Sequence, residues 1–221
     1  MRTIVYVDGF NLYYRALCFR PEFKWLNVKA LAEDILDDAN EVTAVKYYTA
    51  RVSARVDQDA PRRQQIYFDA LETIPELQII QGTFRVDKKY ARLVAPPAVG
   101  KPMFKPWPDV VRIIKTEEKG SDVNLGSHLV RDAFTDAFDV AVVITNDTDL
   151  IEPIRIAIEE VGKVVGILSP VNHPANDLVA TASFLRHIRA GHLSRAQFPS
   201  PLPRATEPDL LRPPSWVANV D

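Results

Sequence analysis

The sequence predicts an α/β protein with a central, mostly parallel sheet. Strand-like apolar runs alternate with segments that carry apolar residues at helical spacing, which is the order of a βαβ protein. The run Val140–Ile144 is apolar throughout, as expected for a parallel strand that is covered on both faces. Acidic residues directly follow two of the predicted strands, at the edge of such a sheet where ligands bind.

Turn residues divide the first part of the chain into strands and helices. Asp8 and Gly9 end a β-branched run, and Pro61 has the position of a residue in the first turn of a helix. The pattern of this part predicts a strand at 3–7, helices at 11–14 and 28–39, a strand at 42–49, a helix from 61 to 71 and a strand at 77–84.

The second part continues the alternation after an irregular segment. Residues 88–108 contain five prolines among basic residues, which predicts an exposed excursion that contacts a ligand. The elements predicted beyond it are an extra strand at 110–115, a helix at 122–137, a strand at 139–145, a helix through 154–161, a strand at 163–168 and a short edge strand at 184–188.

Proline content also predicts the domain boundary. Residues 1–195 are expected to form the α/β domain, with residues 82–120 as a basic, proline-containing excursion from it. Beyond Phe198 prolines recur so often that residues 196–221 are expected to be a Pro-rich C-terminal tail without a core.

Composition and charge exclude several classes of protein. The chain of 221 residues is 47% hydrophobic and 25% charged, which is typical of a globular protein and not of a disordered one. No apolar run approaches the roughly 18 residues that cross a bilayer, and the first residues lack a signal-peptide pattern, so we expect a cytoplasmic protein without a membrane partner. The single cysteine, Cys18, excludes an internal disulfide and a thiolate zinc site.

Basic charge is concentrated in the middle of the chain. The whole protein has a formal net charge of −2, whereas residues 82–120 contain nine basic and four acidic residues. This segment therefore has the charge that favours a polyanionic ligand, although the protein as a whole does not.

Carboxylates are expected to converge at the carboxyl edge of the sheet. Asp8 follows the first strand, and Asp147 and Asp149 follow the central strand. If these strands are neighbours, their acids share one crevice, which Asp122 at the start of the preceding helix can join. Carboxylates about 4 Å apart repel by about 4 kcal/mol per pair at an effective dielectric of about 20, unless they share protons or bind a cation. Oxygen ligands without sulfur favour Mg²⁺ or Mn²⁺.

Helix capping is the simpler role for each acid taken alone. Asp149 with Glu152 three residues later matches a capping box, and Asp122 complements a helix dipole. Capping explains Asp8 and Asp147 less well, because Asn11 accompanies Asp8 and a second carboxylate accompanies Asp147. The sequence thus favours a functional role for Asp8 and Asp147 and leaves both roles open for the other two.

Three short segments resemble the signature blocks of the NYN domain, a branch of the PIN-like nuclease superfamily. They are VDGFNL at 7–12, EKGSDV at 118–123 and TNDTDL at 145–150, in the family's order within residues 1–190. The resemblance implies a three-layer, Rossmann-like (PIN-like) sandwich as the fold, and a metal-dependent nuclease that usually acts on RNA. It also implies that Asp8, Asp122 and Asp147 bind the metal with Asp149 as a fourth ligand, and that Asn11 belongs to the catalytic set beside the metal or phosphate.

Two positions depart from the family's pattern. Many relatives have Ser-Gly where this chain has Thr145 and Asn146, which lowers the backbone freedom of the loop. Many also have an aspartate before the final edge strand, where this chain has Ser183. That aspartate would help to hold the site, so its replacement predicts weaker activity.

The expected mechanism is in-line attack of a metal-activated water on an RNA phosphodiester, with Mg²⁺ or Mn²⁺ as the cofactor. Tyr13, Tyr14 or Trp107 would stack on unpaired bases, with core packing as the alternative role. The candidate phosphate contacts, with a solvated surface as the alternative, are Lys119, Arg51, Arg55, Arg62 and Arg63 together with the basic segment at 85–115.

The alternative function is an RNA-binding or partner-recruiting module of the same fold with weak or no catalysis. The retained carboxylates argue against it, because a pure binder would tolerate neutral residues there. A homodimer is a further prediction, since one basic segment per chain makes only a short groove.

Overall fold

A parallel sheet forms the centre of the protein. The structure is a computed structural model that describes residues 1–54, 57–94 and 106–217, with residues 84–86 and 116–118 described by their backbone alone. The strands are β1 (Arg2–Asp8), β2 (Glu41–Thr49), β3 (Leu77–Gln81), β4 (Thr83–Arg92), β5 (Val110–Lys119), β6 (Val140–Ile144), β7 (Val164–Ser169) and β8 (Phe184–His187). Six of them form one sheet in the order β3-β2-β1-β6-β7-β8, in which every neighbouring pair is parallel. β4 and β5 form a separate antiparallel hairpin.

Helices cover both faces of the sheet. The α-helices are α1 (Gly9–Leu12), α2 (Val28–Ile35), α3 (Ala60–Leu71), α4 (Ser121–Phe134), α5 (Ile151–Arg155), α6 (Asn176–Thr181) and α7 (Ala190–Arg195), and π-helical turns at Tyr13–Leu17 and Ile156–Glu160 continue α1 and α5. Val5 and Val7 of β1 pack with α2 and α3 on one face, while Ile4 and Tyr6 pack with α4, α5 and α6 on the other. The predicted three-layer α/β fold is therefore confirmed. None of the helices in the described ranges is long and apolar enough to span a bilayer.

A buried polar cluster fixes α4 on the sheet. Asp132 of α4 is 4% exposed, accepts a hydrogen bond from the Tyr6 hydroxyl at 2.7 Å and forms an ion pair with Lys46 of β2. Burial alone would raise the pKa of Asp132, but hydrogen bonds from Lys46, Tyr6 and Arg131 hold this pKa below its usual value. This anchor sets the position of the first turn of α4, which carries Asp122.

The strand predicted at 77–84 is divided in the structure. β3 ends at Gln81, and Thr83 begins β4, which leaves the parallel sheet and pairs with β5. The boundary was missed because a run of apolar and β-branched residues does not show which partner each of its parts pairs with.

The prediction of an irregular segment at 88–108 is wrong for residues 88–92. These residues continue β4, whose pairing with β5 runs from Thr83 opposite Lys119 to Arg92 opposite Val110. Their pairing partner lies on the far side of the proline-rich segment, out of reach of a local pattern. The strand predicted at 110–115 is confirmed and extends to Lys119, whereas residues 95–105 of the excursion lie outside the described residues.

The Pro-rich C-terminal segment packs on the main core. The Nε1 of Trp25 donates to the carbonyl of Pro199 at 3.0 Å, and its ring centroid lies 5.7 Å from that of Phe198. The prediction of a tail without a core is wrong for residues 196–217, because apolar side chains of this segment pack into the core of the preceding domain. That residues 1–195 form the domain by themselves stays a prediction. The tail residues in the core are Ala196, Phe198, Leu202, Leu210 and Trp216.

Candidate active site

The strand order places two acidic strand ends side by side. β1 lies between β2 and β6, and Val7 pairs with Ile144. From β1 the chain adds β2 and β3 on one side of the sheet, and it then adds β6, β7 and β8 on the other side. The strand order therefore reverses between β1 and β6. Ligands of open α/β sheets bind at the carboxyl edge of such a point. Asp8 ends β1 at this edge, and Asp147 follows β6 three residues after Ile144.

Asp8 is fixed at the base of this edge. Its side chain is buried, with Oδ1 accepting the N–H of Asn11 at 3.0 Å and Oδ2 accepting the hydroxyl of Thr145 at 3.0 Å. The first of these bonds caps α1. Gly9 lets the helix start directly after the strand, because a Cβ at this position would lie 2.7 Å from the Tyr48 carbonyl oxygen. Both oxygens of Asp8 are thus oriented by the protein.

Three carboxylates converge in one cleft. Asp122 comes from the first turn of α4, after Gly120 turns the chain with a φ of +95°, a left-handed conformation that favours glycine. One oxygen from each of Asp8, Asp122 and Asp147 lies within 4.8 Å of the others, and we call this group the acidic triad. The residues that line the cleft, which has a volume of about 310 Å³, are the triad and Phe10, Asn11, Tyr14 and Arg15.

The electrostatics of the acidic triad fit a divalent cation. Burial, together with the carboxylates of Asp122 and Asp147, raises the pKa of Asp8 to about 7, against the hydrogen bonds from Asn11 and Thr145. A bound cation would displace this proton and relieve the repulsion. Two ligands of one Mg²⁺ ion are at most about 4.2 Å apart, so small side-chain rotations would bring the triad's oxygens to ligand spacing. The donor set contains only carboxylate oxygens, which suit Mg²⁺ and Mn²⁺.

The loop after β6 is held by side chains rather than by glycine. The Thr145 hydroxyl, which donates to Asp8, also accepts the N–H of Asp147 at 3.0 Å. Asn11 Oδ1 accepts the N–H of Asn146 at 3.0 Å, and Asn146 Oδ1 accepts an N–H from the start of α6 at 3.0 Å. Thr145 and Asn146 therefore connect the loop to both neighbouring segments and fix the position of Asp147.

Family comparison assigns most of the chain to one domain. The family model described as NYN domain matches residues 2–188. The chain belongs to the NYN domain family. This family lies within the PIN-like nuclease superfamily, so the family predicted from the three motifs is confirmed.

Two individual proteins are similar to this NYN domain, one in sequence and one in a solved structure. The chain is 31% identical, over an alignment of 248 positions that covers 100% of it and 77% of the relative, to "6-hydroxy-3-succinoylpyridine 3-monooxygenase HspA" from Pseudomonas putida (strain DSM 28022 / S16). A solved structure of a protein of unknown function from Vibrio parahaemolyticus RIMD 2210633 matches 86% of this chain and 93% of its own with a TM-score of 0.49 and 16% identity.

The other two predicted catalytic residues of the NYN domain have different placements. Asn11 lines the cleft, and its side-chain oxygen holds the loop after β6. Asp149 is exposed and is not a member of the acidic triad; its N–H donates to Asp147 Oδ1 at 3.1 Å, which caps a short 3₁₀ turn. The catalytic role of both residues and the metal-binding role of Asp149 stay predictions.

The predicted phosphate contacts of the NYN domain lie on several elements. Lys119 is exposed at the end of β5, three residues before Asp122, and Arg62 is exposed on α3. Arg51 follows β2 at the carboxyl edge and donates to Gln65, and Arg63 forms an ion pair with Asp57. Their contact with nucleic acid stays a prediction. Arg55 lies outside the described residues.

Sequence reasoning missed a cation and an aromatic residue in the cleft. Arg15 lies four residues after Asn11, a spacing that puts both on one helix face and could have revealed it. Phe10 stacks on Tyr14 with ring centroids 6.2 Å apart. Of the aromatics predicted to stack on bases, Tyr13 contacts Tyr14 edge to face at 5.3 Å. Trp107 instead donates to Val94 at the end of the hairpin remote from the cleft.

The prediction that position 183 helps to hold the site is wrong. Ser183 precedes β8, and its hydroxyl accepts the N–H of Val165 near the start of β7 at 3.1 Å. Because the two strands are parallel, this position lies at the amino edge of the sheet, opposite the cleft. Serine at this position therefore gives no reason to expect weaker activity.

Proposed function

We propose that this NYN domain is a divalent-metal-dependent phosphodiesterase that hydrolyses RNA. The observation that carries the proposal is the acidic triad, whose oxygens lie within 4.8 Å of one another in an open cleft. Membership of a nuclease superfamily supports the same activity. A cation, Arg15, and the aromatic side chains of Phe10 and Tyr14 line this cleft, which suits a ligand with both phosphates and bases.

In this proposal the acidic triad holds Mg²⁺ or Mn²⁺. The bound ion would lower the pKa of a water molecule and neutralise charge on the scissile phosphate. Thr145 orients two members of the triad at once, because its hydroxyl donates to Asp8 and accepts the N–H of Asp147. The protein's contribution is to keep three carboxylates close together at a fixed edge of the sheet.

Arg15, Tyr14 and Phe10 position the substrate in this proposal. Arg15 is an exposed cation in the cleft and would contact a phosphate next to the scissile one. Tyr14 is 62% exposed and would stack on an unpaired base. Its stacking contact with Phe10 supports the ring from behind. These contacts favour a single-stranded substrate.

The test is cleavage of 5′-labelled single-stranded and hairpin RNAs by purified protein with Mn²⁺, Mg²⁺ or EDTA. We expect cleavage only with a metal ion, and a loss of about a hundredfold or more in Asp8→Asn and Asp147→Asn. Asp177→Asn, which removes an exposed carboxylate from α6, is the matched control. RNA binding without cleavage under all conditions would contradict the proposal and support an RNA-binding module.

A second candidate is mono-oxygenation of a hydroxypyridine, favoured by the whole-chain similarity to HspA. The aromatic lining of the cleft, Phe10 and Tyr14, suits a flat heterocycle as well as a base. Such a reaction inserts one atom of O₂ and reduces the other to water with two electrons from a donor. Incubation with 6-hydroxy-3-succinoylpyridine, O₂ and a reduced nicotinamide tests it: coupled consumption of all three would establish this activity, and no consumption would exclude this substrate.

A further inference from the structure

The β4–β5 hairpin is an arm whose base lies next to the acidic triad. Each strand has ten residues, so the arm is about 33 Å long at about 3.3 Å per residue. Lys119 ends β5, and Asp122 follows it after one left-handed glycine and one further residue. A ligand that lies along the arm would therefore be led to the cleft.

The two faces of the arm differ in charge and in burial. Residues on one face alternate with those on the other, so the register assigns each side chain to a face. The side chains of one face, which we call the Tyr90 face, are all exposed in residues 87–92 and 110–115: Lys88, Tyr90, Arg92, Val110, Arg112 and Ile114. The opposite face, here the Lys89 face, carries half-buried residues among its members, which are Asp87, Lys89, Ala91, Val111, Ile113 and Lys115.

Charge complementarity identifies the kind of ligand that fits the Tyr90 face. Within the same residues this face has three cations and no carboxylate, whereas the Lys89 face has two cations and Asp87. The guanidinium of Arg112 lies 5.9 Å from the centroid of the Tyr90 ring, directly across the strand pair. Tyr90 is 74% exposed and Ile114 is 59% exposed, so an apolar surface lies between the charges. Cations interleaved with an aromatic ring suit a phosphate backbone with unpaired bases.

We infer that the Tyr90 face of the β4–β5 arm binds single-stranded RNA and leads it to the acidic triad. The inference rests on the proposed function in taking RNA as the ligand. Lys88, Arg92 and Arg112 contact successive phosphates, and Tyr90 stacks on a base with Arg112 beside it. The Lys89 face does not contact the RNA.

The test compares two variants that each remove two positive charges from the full chain. Lys88→Gln/Arg112→Gln changes the Tyr90 face, and Lys89→Gln/Lys115→Gln is the matched control on the opposite face. Binding of a fluorescein-labelled 15-nucleotide oligouridylate is measured by anisotropy in EDTA, from 50 to 200 mM NaCl, so that no metal-dependent hydrolysis takes place. Circular dichroism establishes that all variants are folded.

We expect the Tyr90-face variant to bind the oligouridylate at least about tenfold more weakly than the wild type. Its slope of log K against log salt should be less steep by about 1.4, as for two lost phosphate contacts. The control should change the affinity by less than about threefold and leave the slope near that of the wild type. Tyr90→Ser should lose about fivefold with an unchanged slope, since stacking is not ionic. Equal losses from both faces, or no loss from either, would overturn the inference.

Two further outcomes separate this inference from its rivals. If Tyr90→Ser converts a dimer to a monomer in sedimentation, the face contacts a second copy of the chain and the inference is wrong. Metal-dependent cleavage by the wild-type protein is scored separately. Face-specific binding without cleavage contradicts only the proposed function, whereas cleavage without a face-specific effect contradicts only the role of the arm.

Discussion

The acidic triad and the β4–β5 arm are built on opposite kinds of structure. The triad lies where the ends of β1 and β6 meet the start of α4, and Val7 and Ile144 at these strand ends are fully buried in the core. The arm instead exposes Tyr90 and Ile114, and its strands pair only with each other. A group of carboxylates must be held close together against repulsion, which needs a rigid core, whereas a binding surface needs reach and exposed charge. The protein separates these two requirements in space.

Truncation of a core side chain should separate the two regions most clearly. Phe198→Ala removes a ring that packs on Trp25 in the core and should lower the free energy of unfolding by about 3 kcal/mol. Ile114→Ala on the arm should change it by less than about 0.5 kcal/mol, because this side chain is mostly exposed. Urea denaturation followed by tryptophan fluorescence measures both. An equally large loss in Ile114→Ala would mean that another surface covers the arm in solution.

Metal binding at the acidic triad should stabilise the folded protein, and the size of this stabilisation should depend on pH. Mn²⁺ at about a hundredfold above its dissociation constant should stabilise the protein by about 2.7 kcal/mol at pH 8. Because the pKa of Asp8 is about 7, most of this carboxyl is protonated at pH 6. The affinity should then fall about tenfold, which removes about 1.4 kcal/mol of that stabilisation. Thermal unfolding with and without Mn²⁺ at both pH values tests this, and equal shifts would show that Asp8 is not a ligand.

The metal-free protein should become more stable when the charge of Asp8 is removed. The folded-state pKa of Asp8, about 7, lies above its ordinary value of 3.8, so the folded state binds more protons between these values. The stability contributed by this group is therefore present at acid pH and is lost as the pH rises from about 4 to 7.

Asp8→Asn in EDTA should thus raise the free energy of unfolding by about 2 kcal/mol at pH 8. The full shift in the pKa of Asp8 corresponds to about 4 kcal/mol. Part of this gain is lost, because the asparagine amide faces the Thr145 hydroxyl, which donates to the carboxylate in the wild type. At pH 4 the wild-type carboxyl is protonated as well, so the gain should vanish and the cost of the amide should leave the variant the less stable of the two. Denaturant titrations at the two pH values measure the difference, and a gain that is independent of pH would contradict the raised pKa.

The smallest effect expected within the cleft region concerns Asp149. Its side chain is exposed and outside the acidic triad, so Asp149→Asn should reduce metal-dependent RNA cleavage by less than about threefold, as for other surface substitutions. The comparison with Asp147→Asn in the same assay decides between the ligand set implied by the family resemblance and the set that the structure brings together. A loss as large as that of Asp147→Asn would make Asp149 a fourth ligand.

Local sequence patterns predicted much of the scaffold but not its pairing. The strand at Val140–Ile144 and the helix that carries Asp122 were predicted because burial on both faces and helical spacing leave a local pattern. The β4–β5 hairpin was missed in part, because strand pairing across a proline-rich segment leaves no such pattern. The packing of Phe198 on Trp25 was missed for the same reason, since the two residues are far apart in the chain.

The sequence by itself determined the α/β class, the family and the candidate acids, because strands that end in aspartate and the three NYN motifs are local features. The tertiary structure alone decided which acids meet. It brought Asp8, Asp122 and Asp147 within 4.8 Å, left Asp149 exposed and put Ser183 at the opposite edge. The physical reason is that strand order and helix anchoring, here through Asp132, are set by packing between segments distant in the chain.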